Sequence, residues 1–127
     1  LGQGNAHLVQ GDLTGPTLLE NFPALEGNVA VIVSNPPYIP VGAIPRDLEV
    51  RLHDPDMALY SGDDGLDIIR EIAQLAMKLG RPGAQLMLEH GEMQGESIRD
   101  ILKRAGWRAV ATHRDLVGRD RFTTATR

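Results

Sequence analysis

Val29-Ala30-Val31-Ile32-Val33-Ser34, followed at once by Asn35-Pro36-Pro37-Tyr38, decides the reading of this chain. The run is apolar and mostly β-branched with no polar alternation, which is the pattern of a strand covered on both faces in a parallel sheet. It has to end at Asn35. Two consecutive prolines offer no amide donors to a ladder and hold φ near about −65°, and Pro36 pushes Asn35 toward extended backbone. The strand therefore runs into a stiff loop.

Working outward, Ala6 to Gln10 (AHLVQ) is a short strand candidate stopped by Gly11-Asp12. Residues 39 to 63 are rich in Pro, Gly and Asp and too long for a plain connection, which marks a functional loop. Within it, Arg46 to Leu52 has room for one or two helical turns. From Asp64 to Leu79, Leu66, Ile69, Ile72, Ala73, Ala76 and Leu79 recur at helical spacing, with Asp63 or Asp64 as cap and Gly80 and Pro82 beyond the end. Ala84 to Glu89 (AQLMLE) reads as the next strand. A helix from about Met93 to Ala105 follows, with Ile98, Ile101 and Leu102 on one face and Gly106 closing it. Trp107 to His113 and Arg121 to Thr126 then make a hairpin expected on the sheet edge. Strand, loop, helix, strand, helix, strand, strand is an α/β order.

With 127 residues the chain is one domain, 1–127, without a separate second one. Its 42% hydrophobic and 24% charged residues are those of an ordinary globular chain, so disorder and fibrous repeats are excluded. The absence of cysteine excludes a disulfide scaffold, a thiolate metal site and a cysteine nucleophile. No apolar run approaches the roughly 20 residues of a membrane span, so a soluble chain is expected. The net charge of −4 hides an asymmetry. Residues 1–98 hold 5 Lys and Arg against 14 Asp and Glu, whereas residues 99–127 hold 8 against 3. An acidic body carries a basic end that can meet an RNA or an acidic protein surface, though a solvated helix and hairpin is the commoner explanation, and an overall acidic chain is a poor phosphate binder.

In an open α/β sheet, ligands bind beyond the carboxyl ends of the strands, where Asp12, Asn35 and Glu89 all fall. A rigid loop there presents one amide side chain and free backbone carbonyls in fixed directions. The reaction that wants only acceptors is alkylation of a flat NH2 group, whose lone pair is conjugated and weakly nucleophilic. The Asn35 side-chain oxygen and the Pro36 carbonyl can accept its two N–H bonds and favour the pyramidal form that attacks. Tyr38 can wall the planar group by stacking. No strong base is needed beforehand, because the nitrogen can lose its proton after it becomes cationic.

Asn35-Pro36-Pro37-Tyr38 resembles the signature of amino-methyltransferases that use S-adenosylmethionine. With Gly11-Asp12, Asp54-Pro55 before Ala58-Leu59, Gly62-Asp63-Asp64-Gly65-Leu66, Leu88-Glu89-His90-Gly91 before Gln94-Gly95, and Arg114-Asp115-Leu116 before Asp120-Arg121, the chain from about His7 to Thr126 resembles the carboxy-terminal part of the HemK/PrmC family of release factor glutamine methyltransferases. The resemblance implies a class I, Rossmann-like methyltransferase sheet lacking its first strands and ending in an antiparallel hairpin. It implies methyl transfer from S-adenosyl-L-methionine to the side-chain nitrogen of the glutamine in the Gly-Gly-Gln motif of peptide chain release factors, in the cytoplasm.

Carried over residue by residue, Asn35, Pro36, Pro37 and Tyr38 bind the substrate amide, with Asn35, Pro36 and Tyr38 catalytic, while Asp12, Leu13 and Asn35 border the cofactor. Leu13 departs from a position often aromatic in relatives, and Asp54 stands where relatives commonly have Glu. The family's opening strand and glycine-rich turn, which grips the cofactor, find no counterpart, since Gly2-x-Gly4 follows no strand. The expectation is a fragment of a longer enzyme that alone is inactive and binds the donor weakly, with self-association through an exposed strand edge.

Competing readings are glutamine methylation of a ribosomal protein, adenine-N6 methylation of nucleic acid, and a non-catalytic module without the donor site. Elsewhere the blander reading holds. His53, His90 and His113 show no metal-ligand spacing, Trp107 reads as core or hairpin packing, and Met77, Met87 and Met93 read as gap fillers. Glu89 either reaches the site or is bonded to loop amides.

Overall fold

The structure, a computed structural model, describes residues 5, 6, 8–11, 17–36 and 66–127. Its elements are α1 (Thr17–Asn21), a 3-10 turn (Pro23–Leu25), β1 (Val29–Ser34), α2 (Asp67–Leu79), β2 (Gly80–Glu89), α3 (Gly95–Arg104), β3 (Arg108–Arg114) and β4 (Asp120–Thr126). The strands form a four-stranded mixed sheet in the order β1-β2-β4-β3. β1 and β2 are parallel, as their crossover through α2 requires. β4 is antiparallel to both β2 and β3.

The closing hairpin is therefore present and lies on the sheet edge, as expected. Its second strand inserts beside β2, and β3 takes the outer position. Burial explains the choice. β4 buries Thr123 and Ala125, whereas no residue of β3 is fully buried.

The core lies between the sheet and one helical layer. Ile69, Ile72, Ala73 and Ala76 of α2 meet Leu86 and Leu88 of β2, Ile98 and Leu102 of α3, Trp107 and Ala125. Ile69, Leu86, Leu88, Ile98 and Leu102 are fully buried, each contributing roughly 1.5–3 kcal/mol. Trp107 confirms its core reading, and its indole Nε1 donates to the Ala73 carbonyl at 3.1 Å.

Several boundaries and surfaces differ from the sequence expectation. Among residues 6–10 no strand is described, and Leu8 and Val9 are exposed. Among the described residues no strand pairs with this segment, and a short apolar stretch without a partner makes no ladder. β1 was expected to be covered on both faces, yet Val31 and Val33 are 60% and 69% exposed, so only its alternate residues face the helical layer. β2 begins directly at Gly80 instead of Ala84. The pairing jumps from Val29↔Gly80 to Val31↔Gln85, so Arg81–Gly83 leave the register, and Gly83 takes φ +85°.

α2 starts at Asp67 with Leu66 at the cap position, and Leu66 is buried in the core. Asp63 and Asp64 lie outside the described residues, so their capping reading does too. Met77 packs against the core, but Met93 is 90% exposed and fills no gap, because it stands in the turn before α3.

Candidate functional site

The parallel ladder brings β1 and β2 to their carboxyl ends together. Its last pair is Ser34↔Leu88, so one step further Asn35 is level with Glu89 and Pro36 with His90. Leu88 is buried and Ser34 half-buried toward the helical layer, so Asn35 and Glu89 continue the opposite face. Asn35 is exposed and Pro36 is buried. The buried Pro36 anchors the strand end while the neighbouring Asn35 stays exposed to solvent. The remaining predicted site residues, Asp12, Leu13, Pro37 and Tyr38, lie outside the described residues, as do Asp54-Pro55, Ala58-Leu59 and Gly62–Gly65. An open groove between α2 and α3, lined by Ala73, Met77, Ile101 and Ala105 among others, has a volume of about 820 Å³ and includes neither Asn35 nor Pro36.

Glu89 is half-buried, and among the described residues no amide bonds its carboxylate. His90, which sequence reasoning set aside, is the most connected polar residue near the strand ends. Its ring is fully buried, with Nδ1 2.8 Å from the Gly91 carbonyl and Nε2 2.8 Å from the Thr123 hydroxyl. Thr123 in turn lies 2.8 Å from the Thr112 hydroxyl, which accepts from Arg99 at 2.7 Å.

Burial, the largest influence, lowers the His90 pKa below its ordinary value, against the raising effects of the Gly91 carbonyl and Asp120. The neutral ring leaves one consistent set of directions. The Gly91 carbonyl can only accept, so Nδ1 donates to it and Nε2 accepts from Thr123. Thr123 then accepts from Thr112, and Thr112 accepts from Arg99.

The same turn explains the Gly91, Gln94 and Gly95 spacing. The Gly91 amide donates to Gln94 Oε1 at 3.0 Å, and the Gln94 amide returns a bond to the Gly91 carbonyl at 3.1 Å. Gly95 is needed for space. A Cβ there would lie 3.2 Å from both Arg99 Nη1 and Thr112 Cγ2 and 3.3 Å from Asp120 Oδ2. Asp115 and Gly118 are hairpin parts. The Asp115 carboxylate accepts the Val117 and Arg119 amides at 2.9 and 3.0 Å, chiefly the Arg119 bond lowering its pKa, and Gly118 takes φ +82°. Sequence reasoning missed the His90 network. The readable signal was a histidine directly after a buried strand, with a threonine inside each strand of the following hairpin.

Among the described residues no cluster of His, Asp and Glu could hold a metal ion, and no helix is long and apolar enough to cross a membrane. No family profile matches the chain. Curated relatives do. The chain is 45% identical over 116 residues to the release factor glutamine methyltransferase of Streptomyces coelicolor, covering 90% of this chain and 41% of that protein. It is 40% identical over 124 residues to the enzyme of the same name from Mycolicibacterium smegmatis, covering 97% and 43%. It is also 42% identical over 101 residues to a 4-amino-L-phenylalanine/4-methylamino-L-phenylalanine methyltransferase of Streptomyces pristinaespiralis, covering 80% and 33%.

A crystal structure of a release-factor-specific protein-(glutamine-N5) methyltransferase from Alicyclobacillus acidocaldarius aligns over 95% of this chain and 99% of that one, with 20% identity and a TM-score of 0.45. The curated relatives make this chain a homologue of methyltransferases. More particularly, the chain is homologous to the release factor glutamine methyltransferases, and it spans about two-fifths of the length of the relatives it matches.

Proposed function

We propose that this chain is part of an S-adenosylmethionine-dependent, class I methyltransferase that methylates the side-chain amide nitrogen of the glutamine in the Gly-Gly-Gln motif of peptide chain release factors. The observation that carries the reading is sequence identity of 40–45% to enzymes of that name over 90% or more of the chain, with the motif residue Asn35 exposed where the parallel strands end. A parallel pair joined through a helix and closed by an inserted antiparallel hairpin is consistent with that sheet class, and cytoplasmic location goes with it.

In this reading the Asn35 oxygen and the Pro36 carbonyl accept the two N–H bonds of the substrate amide and hold its lone pair toward the incoming carbon. Positioned acceptors of this kind work because they need no reorganisation when charge develops on nitrogen. Pro37 and Tyr38 complete the amide pocket, and Tyr38 packs on the flat group. Asp12, Leu13 and Asn35 would hold the donor. The fit rests on Asn35, an open amide at the crevice where an α/β sheet takes its ligands. S-adenosylmethionine supplies the methyl group as an electrophilic carbon on sulfur.

A second reading has a specific observation behind it. The relative named for 4-amino-L-phenylalanine shares 42% identity with the same stretch, and its named substrate also presents a flat NH2 group. The two are separated by mass spectrometry after the whole protein is incubated with S-adenosylmethionine and either a release factor or 4-amino-L-phenylalanine. Methylation of the Gly-Gly-Gln glutamine supports the first reading, and methylation of the free arylamine alone overturns it. We further propose that β1, an edge strand of the described sheet with Val31 and Val33 exposed, pairs with a second copy in the isolated chain.

A further inference from the structure

We infer that the hydrogen-bond chain Arg99–Thr112–Thr123–His90 is a positioning array for the acceptor-amide site, holding the Glu89–Gly91 end of β2 in register beside Asn35 and Pro36. The inference rests on the reading of Asn35 given above. Three observations support it. The contacts are continuous from Arg99 to the Gly91 carbonyl and, with a neutral His90 ring, take a single direction. It ties four elements together, starting on α3, crossing β3 and β4 and ending at the β2 terminus, so the strand end is referred to the layer behind it. Its interior is shielded from solvent, because His90 and Thr123 are both 0% exposed and no buried side-chain polar atom among the described residues lacks a partner. A buried, fully paired network permits one arrangement and penalises slippage.

The register gives the array its target. Ser34↔Leu88 is the last β1–β2 pair, which sets His90 level with Pro36 and Glu89 level with Asn35. Strands in a ladder lie only about 4.8 Å apart, so a turn that drifts at Gly91 moves the neighbouring strand end with it. His90 is also fastened on its other side, its backbone amide donating to the Arg121 carbonyl at 2.8 Å. Gly95 fits the same account, because a side chain there would press on Arg99 and Thr112 together. His90 is therefore a positioning residue that acts through the backbone of the turn and touches no reacting atom.

The test uses the whole protein with S-adenosylmethionine and a release factor, and compares Thr123→Val, Thr123→Ser and Asn35→Ala. Thr123→Val keeps the buried shape and removes the hydroxyl, and Thr123→Ser restores it. Imidazole nitrogen resonances read the His90 tautomer, and steady-state kinetics separate kcat from KM. The array predicts an Nδ1–H tautomer in the wild type and the Ser variant. In the Val variant it predicts loss of that single tautomer and a kcat about tenfold lower, with the donor KM within about twofold.

Thr112→Val breaks the chain one link further out, at a half-buried position, if Thr123→Val does not fold. Wild-type kcat in the Val variants, or failure of Ser to restore it, overturns the array while an inactive Asn35→Ala keeps the amide-site reading. Unchanged turnover in Asn35→Ala overturns that reading and the array's role with it.

Discussion

Lowering the pH from about 7.5 to about 5.5 is expected to destabilise the fold through His90, by an amount that can be bounded. The ring is fully buried, and desolvation holds its pKa below the ordinary value of 6.5. Between the folded value and 6.5 the unfolded chain binds the proton and the folded chain does not. Stability therefore rises with pH across that window and is lost as pH falls below 6.5.

Each pH unit inside the window carries at most about 1.4 kcal/mol for one group, so the loss at about pH 5.5 is at most about 1.4 kcal/mol. Asp120 opposes the shift, and Arg99 and Arg121 reinforce it. Urea unfolding followed by fluorescence of Trp107, the chain's one tryptophan, measures the effect. His90→Gln, which cannot titrate, supplies the reference. The wild type should lose more stability than the variant over this range. An identical pH dependence would refute the neutral, buried ring and the bond directions drawn from it.

Two other outcomes follow from the packing. Trp107→Phe removes the indole bond to the Ala73 carbonyl and leaves a gap beside α2, so urea midpoints should report a loss of about 2 kcal/mol. A change below about 0.5 kcal/mol would show that the tryptophan is not held as described. The β1 edge predicts that the isolated 127-residue chain sediments as a dimer or larger, and a clean monomer at high concentration would count against edge pairing.

The parts of the fold legible in the sequence were those written in periodicity. The 3.6-residue spacing from Leu66 to Leu79 became α2, the run ahead of Asn35 became β1, and the threonine-rich end became β4. What was not legible depends on long-range partners. Nothing in AHLVQ shows that its described residues form no strand, and nothing in VAVIV shows that Val31 and Val33 stay exposed. The insertion of β4 between β2 and β3 is a choice between strands that only burial decides.

Half of the candidate site was readable for a local reason. Consecutive prolines act on their own backbone, so a stiff stop at Asn35 and Pro36 needs no tertiary information. The His90 network was not readable, because His90 and Thr123 are 33 residues apart and meet only when β4 lies beside β2. The motif fragments around it were visible as resemblance. Their physical meaning, with Gln94 closing a turn, Gly95 leaving room for Arg99 and Asp115 tying the hairpin, appears only in three dimensions.

The proposed role of the exposed Asn35 is to ready a flat NH2 group for methyl transfer. Asn35 is exposed and outside the core, so Asn35→Ala should leave the unfolding midpoint nearly unchanged, within about 0.5 kcal/mol. Mass spectrometry of the release-factor glutamine after incubation with the whole protein reads its turnover. The expected loss is about 100- to 1000-fold, the scale of removing one positioned hydrogen-bond partner. Methylation at the wild-type rate by a folded Asn35→Ala protein would contradict it.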